Sequence, residues 1–149
     1  MKINLNEFLI IIIALTIVSC SATKQDIKFH ASHEPKKINA PFSDAVEANG
    51  FLFLSGQIGM DHKTRILVEG GIKAETEQAI KNIEEVLKIH GLTLDNVVKA
   101  TVILKNIEEF AQFNEIYIKH FDRKPARTTF AASGLAANAS VEIEVIAAK

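Results

Sequence analysis

The stretch Lys124-Pro-Ala-Arg-Thr-Thr-Phe-Ala-Ala-Ser133 sets a guanidinium, Arg127, near the start of a small, β-rich run. A strand that only filled a core would not carry an arginine between Ala126 and Thr128, so Arg127 is either a working group or half of an ion pair. Further on, Val141-Glu-Ile-Glu-Val145 alternates, which in a strand puts Glu142 and Glu144 on one face and the aliphatic residues on the other. His30-x-x-His33 could hint at a metal, but two histidines in a polar, unpatterned stretch lack a third ligand. They read as solvated linker, so no metal and no cofactor are expected.

The single cysteine, Cys20, closes an apolar run over residues 8–18 (F-L-I-I-I-I-A-L-T-I-V) behind Met1-Lys2. The run is too short to span a bilayer comfortably and has the length of a signal-peptide h-region. Ile17-Val18-Ser19-Cys20 resembles the bacterial lipobox. Residues 1–19 are therefore expected to be removed, leaving Cys20 as a lipidated N-terminus on an exported protein. Lys2 and Glu7 leave together, so the net charge of −1 is kept. With its thiol acylated, the mature chain has no catalytic cysteine and no disulfide. Ser21 is not the aspartate that retains lipoproteins at the inner membrane, so the expected address is the periplasmic face of the outer membrane.

These groups need elements to hold them. At 149 residues the chain is the size of one domain, and 48% apolar with 23% charged residues is the composition of a soluble globular protein. A net charge of −1 offers no electrostatic footprint for nucleic acid. Nine phenylalanines, one tyrosine and no tryptophan suggest an apolar core rather than a base- or sugar-stacking surface. Residues 20–37 read as a flexible tether and 38–149 as the folded domain.

Within that domain, residues 43–48 form a short strand, Asn49-Gly50 signals a hairpin, and Phe51-Leu-Phe-Leu54 returns as a strand buried on both faces. A turn-rich D-H-K-T-R segment follows. Residues 71–90 have helical periodicity, with Ile72, Ala79, Ile83, Val86 and His90 on one stripe and Gly91 ending it. Residues 97–104 are a β-branched strand. Asn106 with Glu109 caps a second helix, which buries Phe110, Phe113, Tyr117 and Phe121. Strands over 126–132 and 141–148 complete the order β-β-α-β-α-β-β, an α+β sandwich with two helices on one face of a mixed sheet. Arg127, Thr129 and Ala131 are expected on the uncovered face. A face of small, β-branched and ionic groups of that kind meets another subunit.

The motifs together resemble the RidA/YjgF family of reactive intermediate (imine) deaminases. The matching stretches are Ala40-Pro-Phe-Ser-Asp-Ala-Val46, Leu54-Ser-Gly-Gln-Ile-Gly-Met-Asp61, Asn96-Val-Val-Lys-Ala-Thr-Val102, Phe113-Asn-Glu-Ile-Tyr117 with Phe121, Pro125-Ala-Arg127 and Val141-Glu-Ile-Glu144. They fall in the family's order. The resemblance implies a chorismate-mutase-like fold, a homotrimer with a site in each cleft between subunits, and hydrolysis of 2-aminoacrylate and 2-iminobutanoate to 2-keto acids and ammonia.

It also implies residue roles. Arg127 would grip the substrate carboxylate bidentately, or else pair with a glutamate across the interface. Glu142 would orient water and move a proton to the departing nitrogen, or else form a rim salt bridge; Glu144 is structural. Ser55 and Gly56 would form the turn at the cleft, with Gly56 admitting the ligand to the backbone, and Asn114 would shape the pocket. Phe42 stands where the family often has tyrosine, so a hydroxyl is missing. Thr129 stands where many members have cysteine, and Leu135-Ala-Ala-Asn138 lacks the family's proline-lysine. A trimeric small-carboxylate-binding protein without turnover is the competing reading. The ribonuclease activity sometimes attributed to the family is opposed by the balanced charge and the export signal.

Overall fold

The structure, a computed structural model, describes residues 26–149; Cys20, its lipobox and the apolar run lie outside the described residues. The strands are β1 (Lys28–His30), β2 (Ala45–Ala48), β3 (Phe51–Leu54), β4 (Gln57–Ile58), β5 (Val97–Leu104), β6 (Ala126–Ala131) and β7 (Val141–Ala148). The helices are α1 (Gly71–Ile89) and α2 (Phe110–Tyr117). Spatial order is β1-β2-β3-β7-β5-β6, with β4 also pairing β7. Among the described strands only β5 and β6 run parallel, and the segment carrying α2 supplies the crossover that a parallel pair requires.

Local chemistry accounts for the elements. Asn49 and Gly50 take φ of 52° and 76°, the left-handed pair that a tight hairpin between β2 and β3 demands. Gly91 takes φ 72° after α1 and lets the Leu92 N–H donate to the Leu87 carbonyl at 2.9 Å. The expected stripe of α1 is buried at Ile72, Ala79, Ile83 and Val86, joined by Ile80 and Leu87. It packs on Val102, Leu104, Val141, Ile143 and Val145 of the sheet, each fully buried aliphatic group contributing about 1.5–3 kcal/mol.

Two buried polar groups of α1 fix what lies beneath it. Glu75 accepts from the backbone N–H and hydroxyl of Ser140 at 2.7 and 2.6 Å, anchoring the start of β7. Asn82 donates to the carbonyls of Ile58 and Met60 at 3.0 and 2.8 Å, anchoring the end of β4. Gly59 lies so close to the α1 backbone that a Cβ would overlap Glu75.

The α+β architecture is as expected, with corrections in four places. Residues 28–37 are not tether: β1 pairs with β2, and Pro35–Lys37 is a turn of 3-10 helix. β3 is not buried on both faces; Leu52 and Leu54 are buried while Phe51 and Phe53 are exposed. Arg127 is not on the uncovered face. Its register partner is Ala100 and that of Thr129 is Val102, both wholly buried under the helices, so Arg127 and Thr129 share the covered face. The expectation of a buried Phe110 also fails, since only Phe113, Tyr117 and Phe121 of that set are buried. The uncovered face instead carries Phe51, Phe53 and Phe130 beside Glu142 and Glu144.

Candidate active site

Arg127 lies on the edge strand β6, and its side chain meets α2. Its Nη2 donates to Asn114 Oδ1 at 2.8 Å. The guanidinium carbon sits 4.5 Å from the Tyr117 ring centre, 5.4 Å from that of Phe113 and 5.7 Å from that of Phe110. Stacking on aromatic faces holds the fork rigid while consuming few of its five donors. Among the described residues no carboxylate forms a salt bridge with it, and a cavity of about 450 Å³ opens beside it between Asn114, Tyr117 and Pro125. A planar anion such as a carboxylate fits such a group.

The aromatic bed is itself ordered. Tyr117 stacks on Phe121 with ring centres 4.3 Å apart. Burial pushes the Tyr117 hydroxyl up to about 12 despite the pull of the neighbouring Arg127 charge, so it stays protonated. Thr129 Oγ1 is buried and has no hydrogen-bond partner among the described residues.

A second cluster forms where β4 meets β7. Gly56, Phe42 and Glu142 line a cavity of about 220 Å³ together with Gln57, Arg65 and Ala136. Gly56 lets the Glu142 carboxylate lie against the backbone, where a Cβ would overlap it unless that side chain moved. Burial, and secondarily the charge of Glu144, pushes the Glu142 carboxyl above its ordinary value. A carboxyl in that condition both gives and takes a proton nearer neutral pH. Ser55 serves the backbone instead. Its hydroxyl donates to the Ser43 carbonyl at 2.6 Å and its N–H to that of Asp44 at 2.9 Å, closing the strand ends.

The expected site residues thus fall into two groups, Arg127 with Asn114 and Thr129, and Glu142 with Gly56 and Phe42. The structure does not bring the two groups together in one chain. Arg127 faces the helices, Glu142 shares the open face with its partner Ile103, and β5 separates their strands. Sequence reasoning missed Tyr117 as part of the site, taking it only for core, although it is the sole tyrosine and lies one turn from Asn114. It also missed His62 and Arg65, which had no signal beyond a turn-rich segment.

A mixed sheet covered on one face by two helices, with an arginine held over an edge-strand aromatic bed beside a cavity, defines an α+β protein. The chain belongs to the RidA/YjgF family: the family model described as Endoribonuclease L-PSP matches residues 32–149. It is similar to a RutC family protein of Aquifex aeolicus, 46% identical over 112 residues covering 73% of this chain and 89% of that protein. A human 2-iminobutanoate/2-iminopropanoate deaminase is 43% identical over 108 residues, covering 72% of this chain and 79% of its own. A crystal structure of a Rid-family protein from Yersinia pestis matches with TM-score 0.77 and 39% identity, over 83% of this chain and all of that one (100%).

Proposed function

We propose that the protein is an imine deaminase, hydrolysing 2-aminoacrylate- and 2-iminobutanoate-type intermediates to 2-keto acids and ammonia. One observation carries this reading: Arg127 is held open over an aromatic bed at a cavity, with no acidic partner among the described residues, in a chain whose relatives include proteins named for that activity.

Every such substrate has a carboxylate beside an imine carbon, and Arg127 binds that carboxylate through its remaining N–H donors. Water adds to the carbon of the protonated imine, and Glu142 takes the proton that the water loses and passes it to the nitrogen. As the carbinolamine collapses the C–N bond breaks, the hydroxyl gives its remaining proton back to Glu142, the oxygen becomes the ketone, and the nitrogen leaves as ammonia. No covalent intermediate is needed. Because Arg127 and Glu142 lie on opposite faces of one sheet, the working site joins the Arg127 group of one subunit to the Glu142 group of its neighbour. The assembly is a homotrimer with a site in each of its clefts, and the exposed phenylalanines of the open face are its contact surface.

The test couples the protein to a threonine dehydratase and follows 2-ketobutyrate release. Wild type accelerates release, whereas Arg127→Ala falls to the rate without added protein, its oligomer unchanged. No acceleration by an intact wild-type trimer would replace catalysis with carboxylate binding.

We also propose that the enzyme is exported and lipid-anchored through Cys20, on the periplasmic side of the outer membrane. The support is the apolar run and lipobox over residues 8–20. Labelling cells with palmitate gives a band that Cys20→Ala abolishes; label that persists in the variant rejects this anchor.

A further inference from the structure

His33 belonged to the stretch expected to be tether, yet the fold carries it against His62, in the loop after β4, and Glu85 on α1. One donor atom from each of the three lies within 4.8 Å of the others. His62 Nδ1 is 3.0 Å and His33 Nε2 3.9 Å from Glu85 Oε2. The two imidazoles meet edge to face with ring centres 5.2 Å apart.

What lies behind the histidines makes this more than a chance meeting. The far nitrogen of each ring faces a buried carboxylate. His33 Nδ1 is 3.1 Å from Asp44 Oδ2, whose side chain is 5% exposed, and the His33 backbone N–H donates to the same oxygen. His62 Nε2 is 3.5 Å from Glu34 Oε1, on a side chain 2% exposed. That Glu34 oxygen is buried and also lies 2.8 Å from the Lys37 ammonium. A carboxylate behind each imidazole holds a proton on the far nitrogen and turns the near lone pair outward, the arrangement that orients histidine ligands.

We propose that His33 Nε2, His62 Nδ1 and Glu85 form a binding site for a divalent ion of the zinc class. Two imidazoles and one carboxylate are donors that zinc takes at about 2.0–2.2 Å, so the three side chains close by roughly an ångström around the ion. A cavity of about 430 Å³, which these residues line together with Asp61, Gln78 and Lys63, leaves room for water at the fourth position. The ion ties residues 32–37 to α1. It does so beside the Glu142 cavity, whose wall includes His62, Lys37 and Arg65. The site is independent of the deaminase reading.

The experiment is a zinc titration of the full chain, stripped with a chelator and read against a chromophoric competitor, with metal content measured after desalting. Wild type takes one zinc per chain and gains Tm on loading. Glu85→Gln, at an exposed position that leaves the fold intact, weakens binding at least about tenfold, and His33→Gln with His62→Gln removes it. His120→Gln, which disturbs only the distant pair with Glu77, changes nothing. Zinc bound by the wild type no better than by Glu85→Gln or the double variant, or no zinc at all, overturns the proposal.

Discussion

Arg127 and Glu142 are held in different ways by their surroundings. The arginine is fixed by stacking and a hydrogen bond to Asn114, so its remaining donors are free for a ligand. The glutamate is deprived of water and set near Glu144, which raises its carboxyl. A folded-state value raised above the unfolded one favours the folded protein while the group is protonated, and that advantage is lost as pH rises through the raised value. Glu142→Gln, a permanent mimic of the neutral acid, is therefore expected to raise Tm at pH 7, with the gain fading toward pH 4. The same change should lower turnover about 100-fold or more if the carboxyl moves the proton. A lower Tm at pH 7 would mean that the carboxylate is held by a cationic partner instead. Gly56→Ala is expected to leave the fold standing, because the flexible end of Glu142 can swing aside, and to cost activity for the same reason.

At the level of elements, the segment before residue 38 decides how firmly the cleft wall is held. The Asp44 N–H donates to the His30 carbonyl at 2.9 Å, and Glu34 sits inside a clasp of Lys37 at 2.8 Å and Arg65 at 2.6 Å. Removing one partner of a buried ion pair leaves an uncompensated charge, which costs about 3–5 kcal/mol when the pair stands alone. Lys37 remains in Arg65→Ala, so that variant is expected to lose about 2 kcal/mol in denaturant unfolding. A chain starting at residue 38 loses the clasp and β1 together, and its Tm should fall below that of a chain starting at residue 26. Equal Tm values would return residues 28–37 to the status of tether. Cys20 is then separated from the start of the sheet only by residues 21–27. Fully extended, that stretch reaches about 23 Å, so an anchored domain would ride close to the membrane surface.

The whole molecule leaves one face of its sheet without a layer. Phe51, Phe53 and Phe130 are 40%, 42% and 45% exposed there, and apolar groups so arranged mark an interface. If the assembly is the proposed trimer, Phe53→Asp is expected to turn it into monomers by sedimentation and to abolish the proposed deamination while each chain keeps its helical circular dichroism. A variant that stays trimeric would move the interface elsewhere. If Arg127 and Glu142 act across subunits, mixing Arg127→Ala and Glu142→Gln chains restores activity, because some clefts then receive both wild-type groups.

The elements and the family could be read from the order of residues alone, because both are written in local patterns. The alternation of Val141 to Val145, the β-branched run over 97–104, the α1 stripe, and Asn49-Gly50 all act through neighbours a few residues away. So did the motifs carrying Arg127 and Glu142. Which way each strand faces, and what meets across it, was settled by packing in three dimensions. β6 pairs beside β5 in a register that sets Arg127 level with Ala100, and a shift of one residue would turn every side chain of the strand over. No local pattern in Ala126 to Ala131 encodes that choice; it is made by packing of β5 and α2. The same holds for the polar N-terminal stretch. Its order comes from Glu34 and His33 finding Arg65, His62 and Asp44 far along the chain, and long-range pairing of buried charges leaves no periodicity to read.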